Sequence, residues 1–172
     1  MIFIATGPRG SGKTTFQYQV AESLQQEGFQ VKGFLAFHDF QKDSYSIYNL
    51  QTHETLPLAQ KLSSLKHTED PFRFDTHALK QGKEWIEDIL NELPDLAVID
   101  EIGIYELRGK VWSTMFTRLC NSSVPLFFTA KLKLLPQILK EWELKPTHIF
   151  YPEDFQNLKY ATGQIRDPLQ HS

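Results

Sequence analysis

The chain has 172 residues, 41% hydrophobic and 23% charged, with a formal net charge of −3. This composition excludes an intrinsically disordered chain, and the length predicts one compact domain over residues 1–172. Lysines and arginines are scattered, which argues against a nucleic-acid surface, and the lone Cys120 excludes an internal disulfide or a cysteine-built zinc site.

Met1 to Thr6 is an apolar run stopped by Gly7 and Pro8, and it reads as a short, fully buried strand. It lacks the basic flank of a secretory leader, and no apolar stretch approaches bilayer length, so a cytoplasmic location with no membrane partner is expected. Lys13 to Glu27 follows as a helix, with Phe16, Val20 and Leu24 spaced by four and Gly28 as its stop. Gln30 to Phe37 is a second strand, His38 to Ser44 a polar turn, Tyr45 to Leu50 a third strand, and a short strand is placed near Leu56. Consecutive strands without intervening helices predict an antiparallel hairpin inserted into an otherwise alternating chain.

Lys61 to Asp70 is polar and reads as a loop, and Phe72 to Phe74 as a short strand. The apolar face of His77 to Glu92 carries Leu79, Trp85, Ile86, Ile89 and Leu90, which predicts a helix ended by Pro94. Leu96 to Asp100 is a buried strand. Arg108 to Cys120 reads as one helix, with Trp112, Met115, Phe116 and Leu119 on one face and Cys120 as a small buried apolar residue. Val124 to Ala130, Leu134 to Glu143 and Thr147 to Tyr151 read as strand, helix and strand; the tail from Pro152 has no assignment. Buried strands alternating with amphipathic helices define an α/β class: a largely parallel sheet, helices on both faces, and an inserted antiparallel hairpin.

"GPRGSGKT", Gly7 to Thr14, fits the phosphate-binding pattern G-x-x-x-x-G-K-[ST] between a predicted strand and helix. Glycines let the backbone curl so that amide groups point at phosphate oxygens, and the helix N-terminus adds partial positive charge. Gly7, Pro8, Arg9, Gly10, Ser11, Gly12, Lys13, Thr14 and Thr15 are therefore the expected nucleotide-binding residues. Lys13 reaches the β- and γ-phosphates, and the Thr14 hydroxyl holds Mg²⁺. Arg9 occupies a variable position and is expected to point to solvent rather than to the γ-phosphate.

"LAVIDEIG", Leu96 to Gly103, places Asp100 at the carboxyl end of a buried strand, where ligands of parallel sheets collect. Asp100 completes the Mg²⁺ shell there, directly or through water, and Glu101 follows one residue past the strand to orient an attacking water. Lys13 and Glu101 are the expected catalytic residues, and Thr14 and Asp100 the metal ligands.

"GPRGSGKTT" followed by "IDEIGIYEL" resembles the THEP-type nucleoside-triphosphatase family, also called cancer-related nucleoside-triphosphatases. The family's second motif has the form D-E-I-G-x-M-E-L, and "KGFLAFHDF" and "YSIYNLQTHETLPLA" are similar to its glycine-phenylalanine strand and following hairpin. The resemblance covers roughly residues 1–151. It implies a RecA-like P-loop fold and slow, Mg²⁺-dependent hydrolysis of ATP, GTP and other nucleoside triphosphates. Tyr105 departs from the pattern, standing where the family has methionine. Glu106 matches the second glutamate; it is either a functional carboxylate or a first-turn residue favouring a helix N-terminus.

Weaker candidates surround these motifs. Arg108 is placed to act as an internal arginine finger or to sit on the surface. Lys131 follows a buried strand where many P-loop proteins contact the base. Phe40, Tyr45 and Tyr48 either stack on a base or pack across strands. The six histidines show no metal-ligand spacing. Two other functions compete with hydrolysis: a P-loop kinase acting on a small molecule or nucleotide, and a non-enzymatic nucleotide-binding adapter. Only five arginines, unclustered, argue against the clamp of a nucleoside monophosphate kinase. Oligomeric state has no sequence indicator.

Overall fold

The computed structural model describes residues 1–62 and 70–171. Most of the polar loop expected over Lys61 to Asp70 lies outside the described residues. Among the described residues eight strands form one sheet: β1 (Ile2–Gly7), β2 (Val31–Asp39), β3 (Ser44–Asn49), β4 (Thr55–Lys61), β5 (Phe72–Phe74), β6 (Leu96–Ile102), β7 (Leu126–Lys131) and β8 (His148–Phe150). Their order across the sheet is β5-β4-β3-β2-β6-β7-β1-β8. From β2 to β8 every neighbouring pair is parallel, and from β2 to β5 every pair is antiparallel. The expected hairpin is thus a three-strand antiparallel extension continuing the edge of a five-strand parallel sheet.

Alternation along the parallel strands sends side chains to opposite faces. Phe3, Ala5, Leu35, Val98 and Phe127 join Phe16, Val20, Ala21 and Leu24 of α1 (Lys13–Gln26) and Ala161, Ile165 and Leu169 of α6 (Leu158–Leu169) in one core cluster. Ile4, Phe34, Ile99 and Phe128 join the opposite cluster. Covering it are Trp85, Ile86 and Ile89 of α2 (Thr76–Asn91), Met115, Phe116 and Leu119 of α4 (Ser113–Cys120) and Leu135 and Ile138 of α5 (Leu135–Glu141). Asp75 starts α2 by accepting a hydrogen bond from the Ala78 amide at 2.8 Å, an ordinary N-cap.

Two expectations change. The single helix expected over Arg108 to Cys120 begins only at Ser113, as α4, because Gly109 and Val111 adopt φ +72° and +52°; a separate short turn of helix, α3 (Ile104–Leu107), precedes it. The unassigned tail folds back as α6, started by Asn157, whose side chain accepts from the Tyr160 amide at 3.2 Å. Phe155, just before it, stacks on Phe16 of α1 with centroids 4.4 Å apart. Cys120 closes α4, half-buried against the core. Among the described residues no helix is long and apolar enough to cross a membrane.

Candidate active site

The Gly7–Thr14 loop leaves the buried β1 and enters α1 directly. Gly10 and Gly12 sit at φ +78° and +90°, where any side chain would be strained, and Gly12 is the residue that precedes the helix. Gln17, fully buried one turn further on, donates to the Phe127 carbonyl at 2.9 Å and so pins α1 to β7. Lys13 folds back over the loop, its ammonium donating to the carbonyls of Pro8 at 2.8 Å and Gly7 at 3.3 Å. Burial pulls the Lys13 ammonium below its ordinary range, against the opposing pull of Glu101 and Asp100. The Ser11 hydroxyl is buried with no hydrogen-bond partner among the described residues.

Across the cleft, β6 and β7 are in register at Ile99–Phe128 and again at Ile102–Ala130, so β6 carries one extra residue between these points. This is a β-bulge at Asp100–Glu101, a device that re-aims side chains and is common beside active sites. Glu101 takes φ +60°, a conformation an unbranched L-residue adopts rarely. The sequence placed Glu101 just past the strand; it lies inside β6, and the bulge rather than the strand end turns it.

Asp100 is buried at 1% exposure. Its Oδ2 accepts from the Thr14 hydroxyl at 2.7 Å and the Ala36 amide at 3.0 Å, and its Oδ1 accepts from the Thr129 hydroxyl. Burial pushes the Asp100 carboxyl upward, and these hydrogen bonds oppose it. Thr129 also accepts from the Glu101 amide at 2.8 Å. One hydroxyl therefore fixes both acidic residues of the bulge. Sequence reasoning did not find Thr129, because its role exists only through the pairing of β6 with β7.

Glu101 keeps its side chain about one-third exposed, and its Oε1 lies 3.4 Å from the Lys131 ammonium. Burial and the adjacent Asp100 charge push its carboxyl upward, while Lys131 and Lys13 pull it down. Lys131, considered for base contact, thus faces the acidic pair. A cleft of about 290 Å³ gathers Gly12, Lys13, Thr14, Asp100, Glu101 and Lys131 on its walls.

The remaining candidates make contacts of other kinds. Arg9 is exposed to solvent, as expected, with its guanidinium 3.8 Å from Asp43 at the β2–β3 turn. Arg108 pairs with Asp70 at 3.5 Å. Tyr45 packs on His38 and Phe72 with centroids 4.5 and 5.5 Å apart, and Tyr48 on Phe37 and Tyr18, so these rings pack across strands and onto α1. Phe40 meets the edge of His38 but remains 73% exposed beside the cleft. Tyr105 meets Phe74 edge-to-face at 5.0 Å, which makes its departure from the family pattern a packing change on β5.

Glu106 is 4% exposed, and its two oxygens accept from the amides of Gly103 at 2.9 Å and Trp112 at 3.3 Å. It clamps the corner between α3 and α4. Burial pushes its carboxyl up to about 7. The native protein then keeps this proton in a window where the unfolded chain has lost it, so Glu106 makes stability fall as pH rises from about 4.5 to about 7. Glu106→Gln removes that dependence. Its unfolding free energy, compared with the parent's across this window, is expected to gain roughly 3 kcal/mol on the parent by neutral pH. A constant offset of about 1–3 kcal/mol accompanies it, because the glutamine amide presents a donor to one of the two backbone amides. Denaturant titrations at several pH values read the slope separately from the offset.

A glycine-rich loop between a buried parallel strand and a helix, facing a buried aspartate at the carboxyl end of the strand next but one, defines a P-loop NTPase fold. The NTPase family model matches residues 2–165, and the chain belongs to that family. Nucleoside-triphosphatase THEP1 of Methanocaldococcus jannaschii is 30% identical over 135 residues, 74% of this chain and 76% of that protein. Nucleoside-triphosphatase THEP1 of Caldivirga maquilingensis is 29% identical over 106 residues, 60% of this chain and 59% of that one. The crystal structure of THEP1 from the hyperthermophile Aquifex aeolicus shares the fold with a TM-score of 0.68 at 20% identity, covering 90% of this chain and 92% of that one. The solution structure of a human cancer-related nucleoside triphosphatase does so with a TM-score of 0.65 at 18% identity, covering 92% and 95%.

Proposed function

We propose that this protein is a Mg²⁺-dependent nucleoside-triphosphatase, acting in the cytoplasm as one domain over residues 1–172, that converts ATP, GTP and other nucleoside triphosphates to the diphosphate and phosphate. The observation that carries this reading is the bulge beside which Glu101 lines the same cleft as Lys13 while Asp100 stays locked against Thr14. The backbone N–H groups of the Gly7–Thr15 loop, Pro8 excepted, surround the phosphates, and the Lys13 ammonium exchanges its two loop carbonyls for β- and γ-phosphate oxygens. Glu101 orients a water in line with the γ-phosphorus and takes its proton as the bond to phosphorus forms.

The donor set fits magnesium. The Thr14 hydroxyl and the Asp100 carboxylate are hard oxygen ligands already in contact at 2.7 Å, and a buried carboxylate pushed toward neutrality is relieved by a cation. Held by Thr14 and Asp100, a magnesium ion would supply positive charge to offset that of the phosphates. The clearest features of the cleft address phosphates and metal, so several bases are expected to serve. Phosphate release from a panel of triphosphates, with Mg²⁺ and then with a chelator, tests the reading. Release is expected from several bases with no added acceptor and is expected to stop on chelation. Silence across the whole panel in Mg²⁺ contradicts it.

A further inference from the structure

Beyond Glu101 the nucleotide cleft opens into a second cavity of about 110 Å³. The two share Ala36, Tyr45, Asp100, Glu101 and Lys131 as a common wall. The second cavity extends toward the antiparallel strands and away from the Lys13 loop, and its sides mix aliphatic and aromatic side chains. Phe72 on β5 stands edge-on to Tyr45, Phe74 stands edge-on to Tyr105, and Trp112 contributes a further ring. Rings in these arrangements offer faces and edges to another ring. The volume is on the scale of a single ring, far below that of a nucleotide.

Its polar groups are unequal in sign. Asp100, Glu101 and Glu106 line it, and among the described lining residues the one cation is Lys131, which is paired with Glu101 at 3.4 Å. A phosphate-bearing second substrate meets the Asp100 and Glu101 carboxylates there and no free cation among the described lining residues, so a nucleoside monophosphate is a poor occupant. A neutral or cationic ring that donates a hydrogen bond is a good one.

We infer that this cavity is a second substrate site, taking a compact single-ring alcohol whose hydroxyl accepts the γ-phosphoryl group in place of water. The inference rests on the assignment of the Lys13 loop and Glu101 as the γ-phosphate site. The shared wall is what favours an acceptor over a remote effector, because a hydroxyl at the inner end of the cavity meets the same Glu101 carboxylate that serves water. In the step, the hydroxyl oxygen bonds to the γ-phosphorus and its proton passes to Glu101. The bond from that phosphorus to the β–γ bridging oxygen breaks, its electron pair stays on the nucleoside diphosphate, and the ring leaves as a phosphate monoester. Glu106 lines the same cavity but is already held by two amides, so it shapes the site without taking part in the transfer.

The test uses the full chain with ATP and Mg²⁺, with benzyl alcohol or 3-hydroxymethylpyridine at millimolar concentration, and phosphorus NMR to separate monoester from free phosphate. A monoester resonance is expected, with a matching fall in free phosphate. Ala59 is buried on β4 in the second cavity and lines no part of the nucleotide cleft. Ala59→Phe fills the cavity from that side and is expected to lower monoester formation by at least about tenfold while phosphate release without alcohol stays within about twofold. Ala59→Leu, with its thermal midpoint measured beside it, serves if the larger side chain prevents folding. Free phosphate alone in the presence of both alcohols overturns the inference, as does monoester formed equally by parent and filled variant. Failure of the hydrolysis reading shows differently, as no phosphate release in the absence of any alcohol.

Discussion

Glu101→Gln is expected to lower turnover by roughly 10²–10⁴-fold, the usual share of a positioned general base. Glutamine keeps the size and can still hydrogen-bond, but it neither accepts a proton nor presents full negative charge to water. That loss corresponds to about 3–5 kcal/mol of transition-state stabilisation. Nucleotide binding is expected to survive, because Lys13, the loop amides and the Asp100–Thr14 contact are untouched. It should tighten slightly, one negative charge near the γ-phosphate having gone. The backbone at position 101 stays in the bulge, held by the hydrogen bond that its N–H donates to the Thr129 hydroxyl. Single-turnover hydrolysis, with bound nucleotide measured separately, distinguishes this from a folding defect. A variant that binds and hydrolyses like the parent makes Glu101 a bystander.

Lys13→Ala is expected to weaken triphosphate binding by roughly 10²-fold, about 3 kcal/mol, since a charge-assisted hydrogen bond to phosphate is worth about 1.5–3 kcal/mol. The fold should persist. Lys13 contributes two hydrogen bonds to loop carbonyls and no packed apolar surface to either core cluster. Losing them lowers the thermal midpoint by about 2–4 °C per kcal/mol lost in a chain of this size. Nucleotide titration and thermal unfolding on the same preparation test both halves. Unchanged affinity would mean that the loop is not the phosphate cradle.

What the sequence made legible was local. The Gly7–Thr14 loop could be read because its pattern, the strand before it and the helix after it are contiguous, and the buried strands could be read because each is apolar on both faces. The acidic pair was legible as a motif, but its geometry was not. The bulge, the Thr129 hydroxyl and the Lys131 pairing all depend on which residue of β7 stands beside Asp100, 29 positions away in sequence for Thr129. Glu106 could not be decided between two readings for the same reason, since one of its two amide partners lies beyond the break at Gly109 and Val111. The tail is a different case. Leu158, Ala161, Ile165 and Leu169 carry a helical spacing behind the capping Asn157, but Gly163 and Pro168 inside the run read as breakers. Packing on α1 overrides them. The second cavity left no mark in the sequence, because its walls come from six strands and the α3–α4 corner, and no single segment contains the pattern.

The most direct measurement of the central claim follows the oxygen of the attacking water. The protein is incubated with ATP and Mg²⁺ in ¹⁸O-labelled water with no other acceptor, and both products are weighed by mass spectrometry. Attack by water on the γ-phosphorus, as placed by Glu101, predicts one ¹⁸O in each released phosphate and none in ADP. Label in the diphosphate, or ATP that stays intact, would contradict it.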